Sequence, residues 1–411
     1  MPVATCPRED LKSFPQLDWN LIAPKMQAST RSAVERVCES QSGEALSRDE
    51  WLRLANCDGA DLLGLLTAAN ELRRELAGNL VTYVVNRNIN FTNICFVGCK
   101  FCAFSRGPRE HDTYFLEPQQ VAEKARQAWE VGATEVCIQG GLPRNLPPLY
   151  YRDILRAVKT ATPQMHIHAF SPMEIVYGVE LTGMALGDYL RMLKDNGLDT
   201  LPGTAAEILD DDVRRVLSRN KLSTQQWQEV IRTAHSCGIR STSTLMYGHM
   251  ETPEHWVNQL LLLRGMQQET RGFTEFVPLG FVHHNTLLFQ QGLSRPGPTL
   301  SEHLKIHALA RLMLADSINN IQVSWVKLNR GLSQLCLQAG ANDYGGTLME
   351  ENISREAGAT AGQYTTPEDF QSLISEIGRI PAERNTTYSR IQIRAPFEVH
   401  GAEPLVEPEF A

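Results

Sequence analysis

The sequence predicts an α/β protein, a full or partial (β/α) TIM-like barrel with an N-terminal helical extension and a C-terminal tail. Three observations predict it. From about residue 80, short β-branched runs alternate with helical stretches of roughly 10–15 residues. Before residue 79 no strand-like run occurs, and from Arg384 the chain turns irregular and rich in Pro and Glu. Strand–helix alternation implies parallel strands joined by right-handed crossovers. At least six such units favour a barrel over a doubly wound open sheet. The expected division is a helical extension over 1–78, a barrel core over 79–330, and a C-terminal extension over 331–411 that completes the barrel and ends as a loose tail.

In the extension, SAVERVCES and DGADLLGLLTAANELRRELAG place leucine and alanine at helical spacing, and Ser47 caps a helix beginning SRDEWLRLA. NLVTYVVNRNINF reads as the first strand. EPQQVAEKARQAWEVG is a helix, TEVCIQGG a strand, PLYYRDILRAVKTA a helix, MHIHAF a strand and GDYLRMLKDNG a helix. LDTLPG leads to ILDDDVRRVLS and then to STQQWQEVIRTAHSCG, where Trp227, Val230, Ile231 and Ala234 form one apolar stripe closed by Cys237-Gly238. IRSTSTLMYGH, FTEFVPLGF and NIQVSWVKL are the remaining strands, each followed by a helix.

With 42% hydrophobic and 21% charged residues the chain can bury a large core. Net charge is −8 and no basic tract stands out, which argues against nucleic acid or an anionic membrane as partner. No apolar run reaches the roughly 18 residues of a spanning helix, and MPVATCPREDLKSFPQ lacks an apolar signal core, so the expected location is the cytoplasm. Cys6, Cys38, Cys57, Cys137, Cys237 and Cys336 stand singly and read as small buried hydrophobes.

Three cysteines differ. Cys95, Cys99 and Cys102 form CxxxCxxC directly after the first strand, where a (β/α) barrel places its chemistry. Three thiolates hold a 4Fe–4S cube with one iron left open for a small molecule, whereas electron-transfer clusters usually take four. The alternatives are a zinc knuckle completed by His111 and a redox cluster completed by Cys137. Other strand ends carry polar groups suited to a multi-substrate cavity: His168 and Glu174, Tyr247 and His249, Glu275, and His283. Gln139-Gly140-Gly141 ends the second strand, and its glycines permit close backbone approach to a ligand. HExxH, Walker and GxSxG motifs are absent.

The spacing CxxxCxxC, with Phe101 before the last cysteine, resembles the signature of the radical S-adenosylmethionine (SAM) superfamily. The resemblance implies that Cys95, Cys99 and Cys102 ligate one 4Fe–4S cluster and that SAM binds its open iron and is cleaved to a 5′-deoxyadenosyl radical. It further implies that Gln139, Gly140 and Gly141 form the turn against the SAM amino group and that Glu207 accepts from the SAM ribose. The acidic residue usual after those glycines is Leu142 here.

Longer runs narrow the resemblance. NFTNICFVGCKFCAF, HAFSPMEI, TLPGTAAEILDD, FTEFVPLGFVH and GGTLMEE are similar to the second subunit of FO synthase, the CofH family, over residues 80–390. That family joins the 4-hydroxybenzyl group of L-tyrosine to 5-amino-6-(D-ribitylamino)uracil, breaking the tyrosine Cα–Cβ bond, in deazaflavin biosynthesis. The implied partners are those two substrates, FO synthase subunit 1, and a flavodoxin- or ferredoxin-type reductant. A menaquinone-pathway futalosine-type radical SAM enzyme and a non-catalytic iron–sulfur protein remain the alternatives.

Overall fold

The computed structural model describes residues 17–394. The N-terminal run read for a signal core, and the last part of the expected tail, lie outside the described residues.

Ten strands fall into two sheets. The first strand read from the sequence is two, β1 (Leu80–Val84) and β2 (Asn86–Asn90), with Val85 between them. β2 begins a six-stranded parallel sheet with β3 (Glu135–Gln139), β4 (His166–Ala169), β5 (Thr200–Leu201), β6 (Arg240–Tyr247) and β7 (Phe273–Gly280), in that spatial order. This sheet is a half-barrel. β1 belongs to a second sheet with β8 (Asp343–Gly346), β9 (Ile380–Arg384) and β10 (Ile391–Ile393), ordered β10-β9-β1-β8. Parallel bridges from Phe276 to Ile321 and from Gln322 to Asp343 link β7 to β8. Because β8 pairs with β1 and β1 runs into β2, the ring of strands closes.

Two expectations are corrected, one strand and the tail. NIQVSWVKL supplies two bridging residues and then a 3-10 turn at Trp325–Lys327, so it is a seam rather than a full strand. The Gly-Gly pair in NDYGGTLMEE lies inside β8, where Gly346 packs so closely on Asn86 that a Cβ would stand 2.1 Å from its Oδ1. The chain from Arg384 is not loose as far as residue 394. β10 pairs antiparallel with β9, and Arg384 enters the barrel floor, because Asp343 and Glu275 there need a cation.

Helices Arg48–Ala55 and Gly59–Ala77 of the extension pack on helices Pro253–Thr270 and Leu300–Met313 of the barrel wall, and helix Ala28–Ser40 packs on Gly59–Ala77. Ser47 and Glu50 close a capping box, as the sequence predicts. The stripe Trp227, Val230, Ile231 and Ala234 is buried. Among the described residues no helix is long and apolar enough to cross a membrane.

Candidate active site

The cysteine loop leaves β2 at the C-terminal rim of the barrel and folds against the turn after β3 and the end of helix Asp211–Leu217. Phe96 N–H donates to the carbonyl of Leu142 (3.0 Å), beyond β3, and Lys100 N–H donates to the carbonyl of Leu217 (2.8 Å). Cys95, Cys99 and Cys102 all line one cavity of about 250 Å3. Burial pushes the Cys99 thiol up to about 12, against the pull of Lys221. Among the described residues no three His, Cys, Asp or Glu side chains converge as ligands of a single metal ion. His111 is exposed, and Cys137 does not line the cavity.

Gln139, Gly140 and Gly141 form the next wall. A Cβ on Gly140 would stand 2.6 Å from the Phe91 ring, and one on Gly141 would stand 2.2 Å from the carbonyl oxygen of Ile94. Only glycine lets this turn sit against the cysteine loop. Gln139 donates to Thr204 Oγ1 (2.9 Å), tying β3 to the turn after β5.

Glu174 lies on the first turn of helix Pro172–Thr182 rather than on a loop. Ser171-Pro172-Met173-Glu174 is a capping box, which fixes that helix start. The carboxylate reaches the cavity, accepting from Gly140 N–H (3.1 Å) and Ser171 N–H (2.6 Å). Burial pushes Glu174 up to about 7 despite these donors. A carboxylate beside the glycine turn is the feature that Leu142 leaves wanting.

Glu207 is positioned by strain and by a buried arginine. Ala205 and Glu207 both hold left-handed backbone (φ 62° and 39°). Arg214 fixes that turn by donating to the carbonyls of Ala205 (3.1 Å) and Leu222 (2.7 Å), and it stands 3.5 Å from Glu207 Oε2. Lys221 donates to Glu207 Oε1 (2.6 Å), while Oε2 has no hydrogen-bond donor. Lys221 also lies 5.3 Å from the Phe101 ring centroid, so Phe101, Lys221 and Glu207 form one stack beside the cysteines.

The remaining predicted residues lie elsewhere. His168 faces the barrel interior, with Nδ1 2.7 Å from Thr200 Oγ1, and burial pulls it down to about 4. Tyr247 is buried with its hydroxyl 2.7 Å from His303 Nδ1. His249 pairs with Glu251 at 3.3 Å, both fully buried. Glu275 sits in the floor with Arg384 and Tyr388. His283 stacks on His284 on the outside of the rim. None of these five is among the residues lining the cavity.

Lys221, Arg214 and Thr204 escaped the sequence reading. Thr204 lies within the run TLPGTAAEILDD but was not singled out there, and only the fold brings the loop at 218–222 back to the cysteines. Lys327 also lines the cavity and donates to Ser354 Oγ (2.7 Å).

Three thiols, a carboxylate and a glycine turn thus share one cavity on the C-terminal rim of a parallel barrel, where such a fold carries its chemistry. Comparison with known proteins agrees. Residues 89–263 match the family described as Radical SAM superfamily, and residues 270–396 match the CofH/MqnC C-terminal region. Methylornithine synthase shares the fold, with a TM-score of 0.66 and 21% identity over 85% of this chain and 97% of that one. HydG, a maturase of FeFe-hydrogenase, aligns with a TM-score of 0.69 and 14% identity over 89% of this chain and 79% of that one.

The FO synthase of Nocardia farcinica is 50% identical over 92% of this chain, which spans 45% of that relative's length. The 5-amino-6-(D-ribitylamino)uracil–L-tyrosine 4-hydroxyphenyl transferase of Methanothermobacter thermautotrophicus is 47% identical over 89% of this chain and all of its own. The chain belongs to the radical SAM superfamily and, within it, to the family of that 4-hydroxyphenyl transferase.

Proposed function

We propose that the protein transfers the 4-hydroxybenzyl group of L-tyrosine to 5-amino-6-(D-ribitylamino)uracil in deazaflavin biosynthesis. The observation that carries this reading is the full-length match to a 4-hydroxyphenyl transferase, on a chain whose three cysteines share one cavity with the Glu207–Lys221 pair.

The residues present fit a 4Fe–4S cluster and SAM. Cys95, Cys99 and Cys102 would hold the cluster, and the Gly140-Gly141 turn, Glu174 and Glu207 would hold SAM. When bound, these groups supply the 5′-deoxyadenosyl radical that oxidises tyrosine. The chain's own part is to bind, orient and keep water out. Glu207 Oε2 offers an unused acceptor to a hydroxyl or ammonium. Lys221 and Arg214 hold that carboxylate in place. Glu174, held by Ser171 and Gly140, offers a second acceptor near the glycine turn. Met246, Leu279 and Phe281 give the opposite wall an apolar surface, suited to an aromatic ring and to shielding a reactive carbon from water. Lys327 and Thr244 are among the polar lining groups that can orient a carboxylate or a uracil edge. FO synthase subunit 1 and a low-potential reductant are the functional partners this reading requires.

An anaerobic reaction of reconstituted protein with SAM, reductant, L-tyrosine and the diaminouracil tests it by mass spectrometry. Deoxyadenosine together with a hydroxybenzyl–uracil adduct is expected. Deoxyadenosine without adduct overturns the substrates and favours a futalosine-type reaction. Neither product, from protein with a full cluster, overturns the enzymatic reading.

A further inference from the structure

The chain is acidic as a whole, with a net charge of −8, yet the shell around the cysteines is not. Segments 94–107, 140–149, 216–222 and 281–300 contain no Asp or Glu. They carry Lys100, Arg106, Arg144, Arg219, Lys221 and Arg295. Three of these six are engaged: Lys221 with Glu207, Arg106 with Asp112 and Glu356, and Arg295 with Glu251 and Glu302. Among the described residues Lys100, Arg144 and Arg219 have no ion-pair partner.

The fold gathers these three cations around the outer face of the cysteine loop. Lys100 lies between Cys99 and Cys102, and its backbone bonds to Leu217 on one side and Leu288 on the other, both at 2.8 Å. Arg219 is exposed two residues beyond Leu217, and Asn220 donates to the carbonyl of Val97 (3.2 Å). Arg144 is exposed with its guanidinium 4.9 Å from the centroid of the Phe96 ring, next to Cys95. Leu287 and Leu293, 48% and 39% exposed, add an apolar spot beside Lys100.

We propose that this face is the docking surface for an acidic one-electron donor protein. The proposal rests on the reading of the three cysteines as cluster ligands. Such a cluster needs an electron delivered from outside, and electron transfer weakens steeply with distance. The loop's own outer face is the shortest route to it. A ring of uncompensated cations on an acidic protein steers an anionic partner to that one place and repels it elsewhere. The small apolar centre suits a transient contact of the modest size that redox partners use.

The test is stopped-flow reduction of the reconstituted cluster by a purified, reduced acidic flavodoxin, with dithionite as the small-molecule control. For the wild type the rate with flavodoxin falls about 10-fold or more as salt rises from about 20 to about 300 mM. The double variant Arg144→Glu/Arg219→Glu loses about 10-fold or more at low salt and is almost salt-independent, while its rate with dithionite changes less than about twofold. Iron and sulfide content, equal in both proteins, shows that the cluster itself is intact. An unchanged flavodoxin rate in the variant overturns the docking surface. An equal loss with both reductants also overturns it, because the variant has then altered the cluster. A wild-type chain that takes up no iron overturns the cluster reading and this proposal with it.

Discussion

At the scale of single residues, the site is a contest between burial and partners. Cys99→Ala removes one of three candidate cluster ligands from a loop held by backbone bonds to Leu142 and Leu217, which the substitution leaves alone. Iron and sulfide should fall to background after reconstitution while circular dichroism and solubility stay those of the wild type. Full iron content would remove Cys99 from the ligand set. Glu174 gives a pH prediction. Its folded value of about 7 lies above the unfolded carboxylate range. Its contribution to stability is therefore fully present below the unfolded value and is lost as pH rises through about 7. Carrying a buried charge above that pH costs at most about 3 kcal/mol. Glu174→Gln keeps the side-chain acceptor and lacks the charge, so it should raise the urea midpoint at pH 8 and leave it unchanged at pH 4. Equal midpoints at pH 8 would show that the carboxylate is solvated rather than buried. The capping signature Ser171-x-x-Glu174 went unread in the sequence, and the second role of Glu174, reaching Gly140 across the rim, is not readable there, since that contact joins residues 34 positions apart.

At the scale of elements, strand ends were legible and strand floors were not. Alternation and turn chemistry report local structure, so β3, β4, β6 and β7 fall where the sequence places them. The polar residues of those strands were read as strand-end candidates for a shared cavity. Period two tells which residues share a face but not how far down the barrel each sits, and His168 and Glu275 lie below the cavity. What the composition hid altogether is the plug. Arg384, in a stretch that reads as irregular, donates to both oxygens of Asp343 (2.6 and 3.0 Å) and to Glu275 (3.2 Å), and its side chain is 2% exposed. Breaking such a buried ion set by removing one partner leaves uncompensated charge and costs about 3–5 kcal/mol. Arg384→Met should lower unfolding stability by that amount, read from chemical denaturation. Adding Asp343→Asn and Glu275→Gln to it should recover part of the loss. If Arg384→Met alone costs under about 1 kcal/mol, the floor is wet and the plug is not structural.

At the scale of the whole molecule, the two ends of the barrel do different work. The C-terminal rim gathers cysteines, glycines and cations from segments far apart in the chain. The floor and outer wall supply the stability that keeps them together. The helical extension belongs to that second part. Helix Gly59–Ala77 buries Leu65, Leu66, Ala68, Ala69 and Leu72, and packs along helix Leu300–Met313, whose Ile306, Leu309, Leu312 and Met313 are also buried. Each large apolar side chain taken from water contributes about 1.5–3 kcal/mol, and a whole domain is stable by only about 5–15 kcal/mol. Uncovering this wall therefore exceeds what the barrel can lose. A chain of residues 79–411 should be insoluble, or soluble with strong binding of a hydrophobic dye and no cooperative melting transition, although every cysteine and every cavity residue is still present. A cooperative transition in that fragment, with normal iron uptake, would show instead that the strand ring is a self-sufficient unit and the helices an ornament upon it.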